Sequence, residues 1–228
     1  MITSQTRSGA NVGRTAQPHE PPVHLVLDLD DTLYLERDFV RSGFRAVEQE
    51  TRIDGFFDAA WRIFEQGGRG DIFDRALARL GASADVPRLV ALYRAHRPSI
   101  RLAADAGALL DRWEGPLGLI SDGPAATQRS KLGALGIGDR FRSKILTGDW
   151  GAEFYKPHPR AFIETERRLG AGAYVYIADN PAKDFEAPKR LGWRTIRIQR
   201  EKGLYAEVEG VEADFVVRTL DGIERVLG

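Results

Sequence analysis

One stretch, Val23 to Leu35 (VHLVLDLDDTLYL), restricts the possible folds more than any other part of the chain. It begins with alternation and becomes almost wholly aliphatic, the pattern of a strand buried on both faces in the middle of a parallel sheet. Asp28, Asp30, Asp31 and Thr32 stand where that strand leaves the sheet. Side chains at i and i+2 of an extended chain point the same way, so Asp28 and Asp30 share one side of the exit while Asp31 turns off. Carboxylates held that close repel each other, and a bound cation or a retained proton relieves the repulsion. Both arrangements suit phosphate chemistry. The plainer alternative is a polar turn in which Asp31 or Thr32 caps a neighbour, so partners further along the chain must separate the two readings.

The 228 residues are enough for one α/β domain with an insertion, or for two small domains, with a real core. Lys+Arg and Asp+Glu balance at 33 each, so no global field draws nucleic acid or an acidic membrane. The absence of cysteine removes disulfides, thiolate nucleophiles and cysteine-zinc sites. Met1 to Pro22 is rich in Ser, Thr, Gly, Gln and Pro without an apolar run, which predicts a flexible tail over 1–22. No stretch has the apolar core of a secretory signal or the roughly 20 apolar residues of a membrane span. A soluble cytoplasmic protein with no membrane or nucleic-acid partner is therefore expected.

From about Asp38 to His96 the periodicity is helical. Phe39, Val40, Phe44 and Val47 form one stripe; Phe57, Ala60, Trp61 and Phe64 a second; Ile72, Phe73, Ala76, Leu77 and Leu80 a third. A fourth helix, opened by Pro87, carries Leu89, Leu92 and Tyr93. Four amphipathic segments predict a small bundle over 37–99, its stripes forming a core. Its Gly67-Gly68-Arg69-Gly70 turn is cationic and flexible, which leaves Arg69 as a weak candidate for substrate contact beside the plainer reading of a solvated connection.

After Ser99, helices alternate with strands at Leu117 to Ile120, Lys144 to Leu146, Tyr174 to Ala178, Arg194 to Ile198 and Phe215 to Val217. That alternation predicts a doubly wound, Rossmann-like parallel sheet assembled from 23–36 and 100–228, with the helical segment inserted after its first strand. Helices are expected from Leu102 to Trp113, Pro124 to Leu135, Pro159 to Leu169, Pro181 to Leu191 and from Leu220 onward.

In such sheets ligands bind beyond the carboxyl ends of the strands. The second exit, Ser121-Asp122-Gly123-Pro124, offers a hydroxyl, a glycine that lets backbone approach a ligand, and a helix start with free amides that favour an anion. Lys156 stands before two prolines, Pro157 and Pro159, which fix its approach to a helix; its ammonium would neutralise a phosphoryl oxygen. At the fourth exit Asn180 reads as an N-cap and Pro181 as the first helical residue, placing Asp179 at the strand end and Asp184 about one turn into a helix. Oxygen ligands without histidine or cysteine favour Mg²⁺ over Zn²⁺.

These constellations, in this order, resemble the haloacid dehalogenase-like (HAD) hydrolase superfamily over nearly all of Val23 to Gly228. The resemblance implies that Asp28 is the nucleophile and Asp30 the general acid/base, with Ser121, Asp122 and Lys156 binding the phosphoryl group. It further implies that Asp28, Asp30 (through its backbone carbonyl) and Asp179 hold Mg²⁺, supported by Thr32 and Asp184. The helical insertion is similar to the family's cap domain. The fourth motif differs from the usual Gly-Asp opening in having Ala178-Asp179, and Lys183 stands where asparagine is common.

The implied activity is phosphatase: hydrolysis of a small phosphorylated metabolite, such as a sugar phosphate, a nucleotide or a phosphoglycolate-like acid, through an aspartyl-phosphate. Asp30 argues against a dehalogenase, and the lysine-free insertion from Asp38 to His96 against Schiff-base phosphonate hydrolysis. A phosphomutase on the same fold and a non-catalytic phosphate-binding scaffold are the alternatives.

Overall fold

The computed structural model describes residues 21–227, so most of the expected N-terminal tail, residues 1–20, lies outside the described residues. Strand β1 (Val23–Leu27) is buried from its second residue onward, and its side chains alternate between two cores. Leu25 and Leu27 join one apolar cluster with Leu119, Ile177 and Ile196, whereas Val26 faces Ile120, Phe162 and Tyr176 on the other side of the sheet. Burial on both faces is what makes β1 read as a continuous aliphatic run rather than as a strict alternation.

The chain continues through α1 (Glu36–Thr51), α2 (Phe56–Glu65), α3 (Ile72–Leu80), α4 (Val86–Ala95) and α5 (Ala104–Arg112) before returning to the sheet. Next come β2 (Leu117–Ser121), α6 (Ala125–Leu135), β3 (Ser143–Leu146), α7 (Arg160–Leu169) and β4 (Ala173–Ala178). The last elements are α8 (Glu186–Arg190), β5 (Arg194–Ile198), β6 (Phe215–Val217) and α9 (Glu224–Leu227). The six strands lie in the order β3-β2-β1-β4-β5-β6, every pairing parallel. The winding runs outward from β1 in one direction and then, through β4, in the other. That reversal creates a crevice at the carboxyl ends of β2, β1 and β4, where a doubly wound sheet binds its ligand. Leu27 is in register with Leu119 of β2 and Ile177 of β4, so Asp28, Asp122 and Asp179 emerge together at that crevice.

Helices α1 to α4 surround an apolar cluster of their own, in which Phe44 meets Phe56, Phe64 and Phe73 edge to face. Most of the stripe residues expected from periodicity are buried there, including Val40, Val47, Ala60 and Leu77; Phe39 instead joins the sheet's core, Phe57, Trp61 and Leu92 are only partly buried, and Leu80 is exposed.

Two helix starts differ from expectation. The helix expected from Pro181 begins only at Glu186. Asn180 builds a turn of its own instead: its side-chain oxygen accepts the Ala182 N–H, its carbonyl accepts the Lys183 and Asp184 N–H groups, and the Asp184 carboxylate accepts the Asn180 N–H. These local bonds compete with a helix, and Pro188 has no N–H to donate back to residue 184. Asp184 therefore lies in a tight turn rather than on a helix. The final helix starts at Glu224 rather than at Leu220, because Gly222 takes a left-handed conformation (φ 66°) that interrupts it.

Candidate active site

The crevice opens into a cavity of ≈ 270 Å³ whose walls include Asp28, Asp30, Asp122, Lys156, Asp179 and Lys183. Lys156 is the hub. Its ammonium donates to Asp28 Oδ1 at 2.7 Å and to the Tyr176 hydroxyl at 3.0 Å, and it lies 2.7 Å from Asp184 Oδ1. Burial works against this ammonium, yet Asp184 and Asp28 beside it hold it firmly protonated. Burial pushes the Asp28 carboxyl up to about 6, with Lys156 opposing and Asp184 adding to the rise.

Asp179 makes no such contact. Its Oδ2 is buried without a hydrogen-bond partner, and burial together with Asp184 and Asp28 raises its carboxyl well above the usual range. Carboxylate oxygens of Asp28, Asp179 and Asp184 lie within 4.8 Å of one another. Three crowded carboxylates beside one lysine leave excess negative charge, and an orphaned oxygen faces the group. The donor set is hard and all-oxygen, which fits a magnesium ion. Asp184 completes this cluster, whereas the Asp30 side chain points to other partners.

Asp30 is clasped by three donors. Lys131 Nζ donates to its Oδ1 at 2.7 Å, Gln128 Nε2 to its Oδ2 at 2.9 Å, and the Tyr34 hydroxyl also donates to Oδ1. Burial opposes ionisation here, but the Lys131 charge and these hydrogen bonds outweigh it and hold the carboxyl below its ordinary value. Asp31, with φ 50°, turns away as expected and accepts the Glu36 and Leu204 N–H groups, fastening the start of α1 and the loop after β5 to the site.

Two expected contacts are not on the cavity wall. Ser121 is fully buried, and its hydroxyl accepts a hydrogen bond from Gln128 at 2.6 Å instead of facing a phosphoryl oxygen. Arg69 borders a second cavity: it donates to the Phe64 and Gly68 carbonyls and stacks on the Phe64 ring. Thr32 is buried behind the site, its carbonyl accepting two hydrogen bonds from Arg200. Asp122 does line the cavity, its carboxylate paired with Lys183 at 3.0 Å and bound by Thr147 and the Lys156 N–H.

Tyr34, Gln128, Lys131 and Tyr176 belong to the site although sequence reasoning passed over them, and Lys183, noted only as a departure from the family's fourth motif, belongs to it too. A signal existed for two of them. Gln128 and Lys131 are three residues apart on α6 and are buried with Leu132, so polar groups occupy the inward face of an otherwise ordinary helix.

The family model of haloacid dehalogenase-like hydrolases matches residues 24–192. The chain belongs to that family of hydrolases. Among curated relatives, it is 29% identical over 213 residues to the glyceraldehyde 3-phosphate phosphatase of Methanopyrus kandleri, covering 81% of this chain and 86% of that protein. It is 24% identical to the phosphoserine phosphatase of Thermus thermophilus, covering 77% of this chain and 88% of the relative. Among solved structures, the magnesium-bound HAD-hydrolase YfnB of Bacillus subtilis superposes with a TM-score of 0.68 at 18% identity, covering 92% of this chain and 100% of that one.

Proposed function

We propose that this chain is a magnesium-dependent phosphatase that hydrolyses a small phosphomonoester through an aspartyl-phosphate. The observation that carries the reading is Lys156, wholly buried and set 2.7 Å from both Asp28 and Asp184, next to the unpartnered oxygen of Asp179. A buried ammonium next to crowded carboxylates is suited to a ligand that brings both a cation and an anion, as a metal-bound phosphoryl group does. The phosphatase names of the relatives support the same reading.

Asp28 attacks phosphorus and displaces the alcohol oxygen, forming the acyl-phosphate bond. Lys156 and the amides near Leu29 and Asp122 balance the charge on the phosphoryl oxygens. Asp30 delivers a proton to the departing oxygen, then takes one from the water that cleaves the aspartyl-phosphate. Its donors hold Asp30 ionised, so a monoprotonated phosphate ester supplies that first proton. Asp28, Asp179 and the Asp30 backbone carbonyl would hold Mg²⁺, with Asp184 behind them; the ion would neutralise charge on the phosphoryl oxygens. The helical segment α1 to α4 acts as a cap that excludes bulk water while the ester bond breaks. Phosphate release from a panel of phosphorylated metabolites, with Mg²⁺ present or chelated, tests the proposal. Release that stops on chelation and returns with Mg²⁺ is expected; release indifferent to chelation removes the metal from the reading, and silence across the panel removes the phosphatase.

A further inference from the structure

A second cavity, of ≈ 320 Å³, lies among the helices of the insertion. Its walls include Val40, Phe44, Phe64, Phe73, Val90 and Leu204, so most of its surface is apolar and much of it aromatic. Glu36 and Tyr205 line both this chamber and the cavity that holds Asp28. They stand where the two spaces adjoin, the throat that any group reaching from one into the other must cross.

Both throat groups are idle within the protein. Neither the Glu36 carboxylate nor the Tyr205 hydroxyl has a hydrogen bond or ion pair among the described residues; Glu36 contributes only its backbone N–H, to Asp31. Burial and then the Asp30 charge push the Glu36 carboxyl up to about 8. Burial and then Glu36 also raise the Tyr205 hydroxyl. A partly buried carboxyl without a partner is costly, and one placed at the passage out of the phosphoryl site meets whatever is attached to the ester oxygen. A hydroxyl at that point hydrogen-bonds the carboxyl in either protonation state, and an ammonium there favours its ionised form. Beyond the throat the chamber rewards apolar surface. Arg69 and Arg94 border the chamber as well; the Arg69 guanidinium is held by two carbonyls and sits over the Phe64 ring, extending the wall.

Resting on the phosphatase reading, we propose that the alcohol part of the substrate passes between Glu36 and Tyr205 into this chamber. The substrate class is then a phosphomonoester whose alcohol carries a hydrogen-bond donor on the carbon next to the ester carbon and an apolar body beyond it. Glu36 is a specificity-determining residue that accepts from the donor; the aromatic chamber receives the body.

Four esters separate the two features: propyl, 2-hydroxypropyl, 3-phenylpropyl and 2-hydroxy-3-phenylpropyl phosphate, with p-nitrophenyl phosphate as a reference. In the full-length protein with Mg²⁺, the hydroxyl is expected to raise kcat/KM about tenfold or more in either pair, and the phenyl group by a similar factor. Glu36→Leu should bring the hydroxyl preference to within about twofold of one and keep the phenyl preference. Glu36→Gln, which retains an acceptor oxygen, should keep most of the hydroxyl preference. Leu204→Trp, which fills the chamber, should remove the phenyl preference alone. Because each ratio is taken within one enzyme preparation, partial unfolding cancels. The proposal is overturned if wild type shows neither preference, if the hydroxyl preference survives Glu36→Leu, or if adding a carboxylate to the ester improves turnover more than adding the phenyl group. Hydrolysis of p-nitrophenyl phosphate without any of the four esters overturns this inference alone; silence toward all five overturns the phosphatase reading and this inference with it.

Discussion

The two cavities that meet at Glu36 are built on opposite principles. Around Asp28 most charges are paired, Lys156 with Asp28 and Asp184, Asp30 with Lys131, and Asp122 with Lys183, while the Asp179 carboxylate is left over for a cation. Around Phe44 the walls are mainly apolar, bordered by Arg69 and Arg94, and the Glu36 carboxyl and Tyr205 hydroxyl at the throat have no hydrogen bond or ion pair among the described residues. The first region is preorganised electrostatically and would treat phosphoryl groups much alike. The second offers shape, apolar surface and one unsatisfied acceptor, which is where discrimination among alcohols would arise. Cutting a pair in the first region should therefore cost activity or stability, whereas relieving the unpaired group in the second should raise stability.

The largest effect is expected at the nucleophile. Asp28→Asn keeps the shape of the side chain and should lower turnover on the order of 10⁴-fold or more, with an unchanged far-UV circular dichroism spectrum; retained turnover would exclude the covalent route. Next, Lys156→Met removes the shared cation from two buried carboxylates and should cost about 3–5 kcal/mol in urea unfolding without metal. A loss below about 1 kcal/mol would mean that the pairing is not what holds this region.

Lys131→Met tests the clasp on Asp30. With the acid/base loosened, turnover of an alkyl phosphate should fall about 100-fold. Turnover of p-nitrophenyl phosphate, whose leaving group needs little protonation, should fall much less. An equal fall for both would assign Lys131 to folding rather than to orienting Asp30.

The smallest effect has the opposite sign. The Glu36 carboxyl is raised from 4.5 to about 8 in the folded protein. The folded state therefore binds more protons than the unfolded state between those values, and stability is lost as pH rises through that window. Glu36→Gln lacks this loss, so its advantage over wild type should grow by about 1–2 kcal/mol between pH 4.5 and pH 9, a figure discounted for partial exposure. Urea midpoints at the two pH values measure it; a constant difference would show that the throat carboxylate is already satisfied.

Much of this arrangement is legible in the chain itself. The aliphatic run before Asp28 announces a central strand because burial on both faces favours aliphatic side chains on both. The acids at 28, 30, 122 and 179 are recognisable because each follows a strand-like segment. The stripes at Phe44, Phe64 and Phe73 likewise reveal a separate helical core. The turn at Asn180 was harder to read: Asn-Pro opens helices and tight turns alike, and only the hydrogen bond from the Asn180 N–H to Asp184 selects the turn.

Sequence alone determined the order of strands and helices, the chemistry at each strand exit and the family to which the chain belongs, because periodicity and local residue type act over a few neighbouring positions. Tertiary structure decided which charge meets which. Lys156 reaches Asp28 across 128 residues of chain, Lys131 reaches Asp30 across 101, and Ser121 turns to Gln128 instead of the cavity. Such pairings depend on sheet order and on the angle at which a helix docks, and no local pattern encodes either one. The throat between Glu36 and Tyr205 is the extreme case, for it exists only where the first turn of the helical insertion meets a loop from the far end of the sheet.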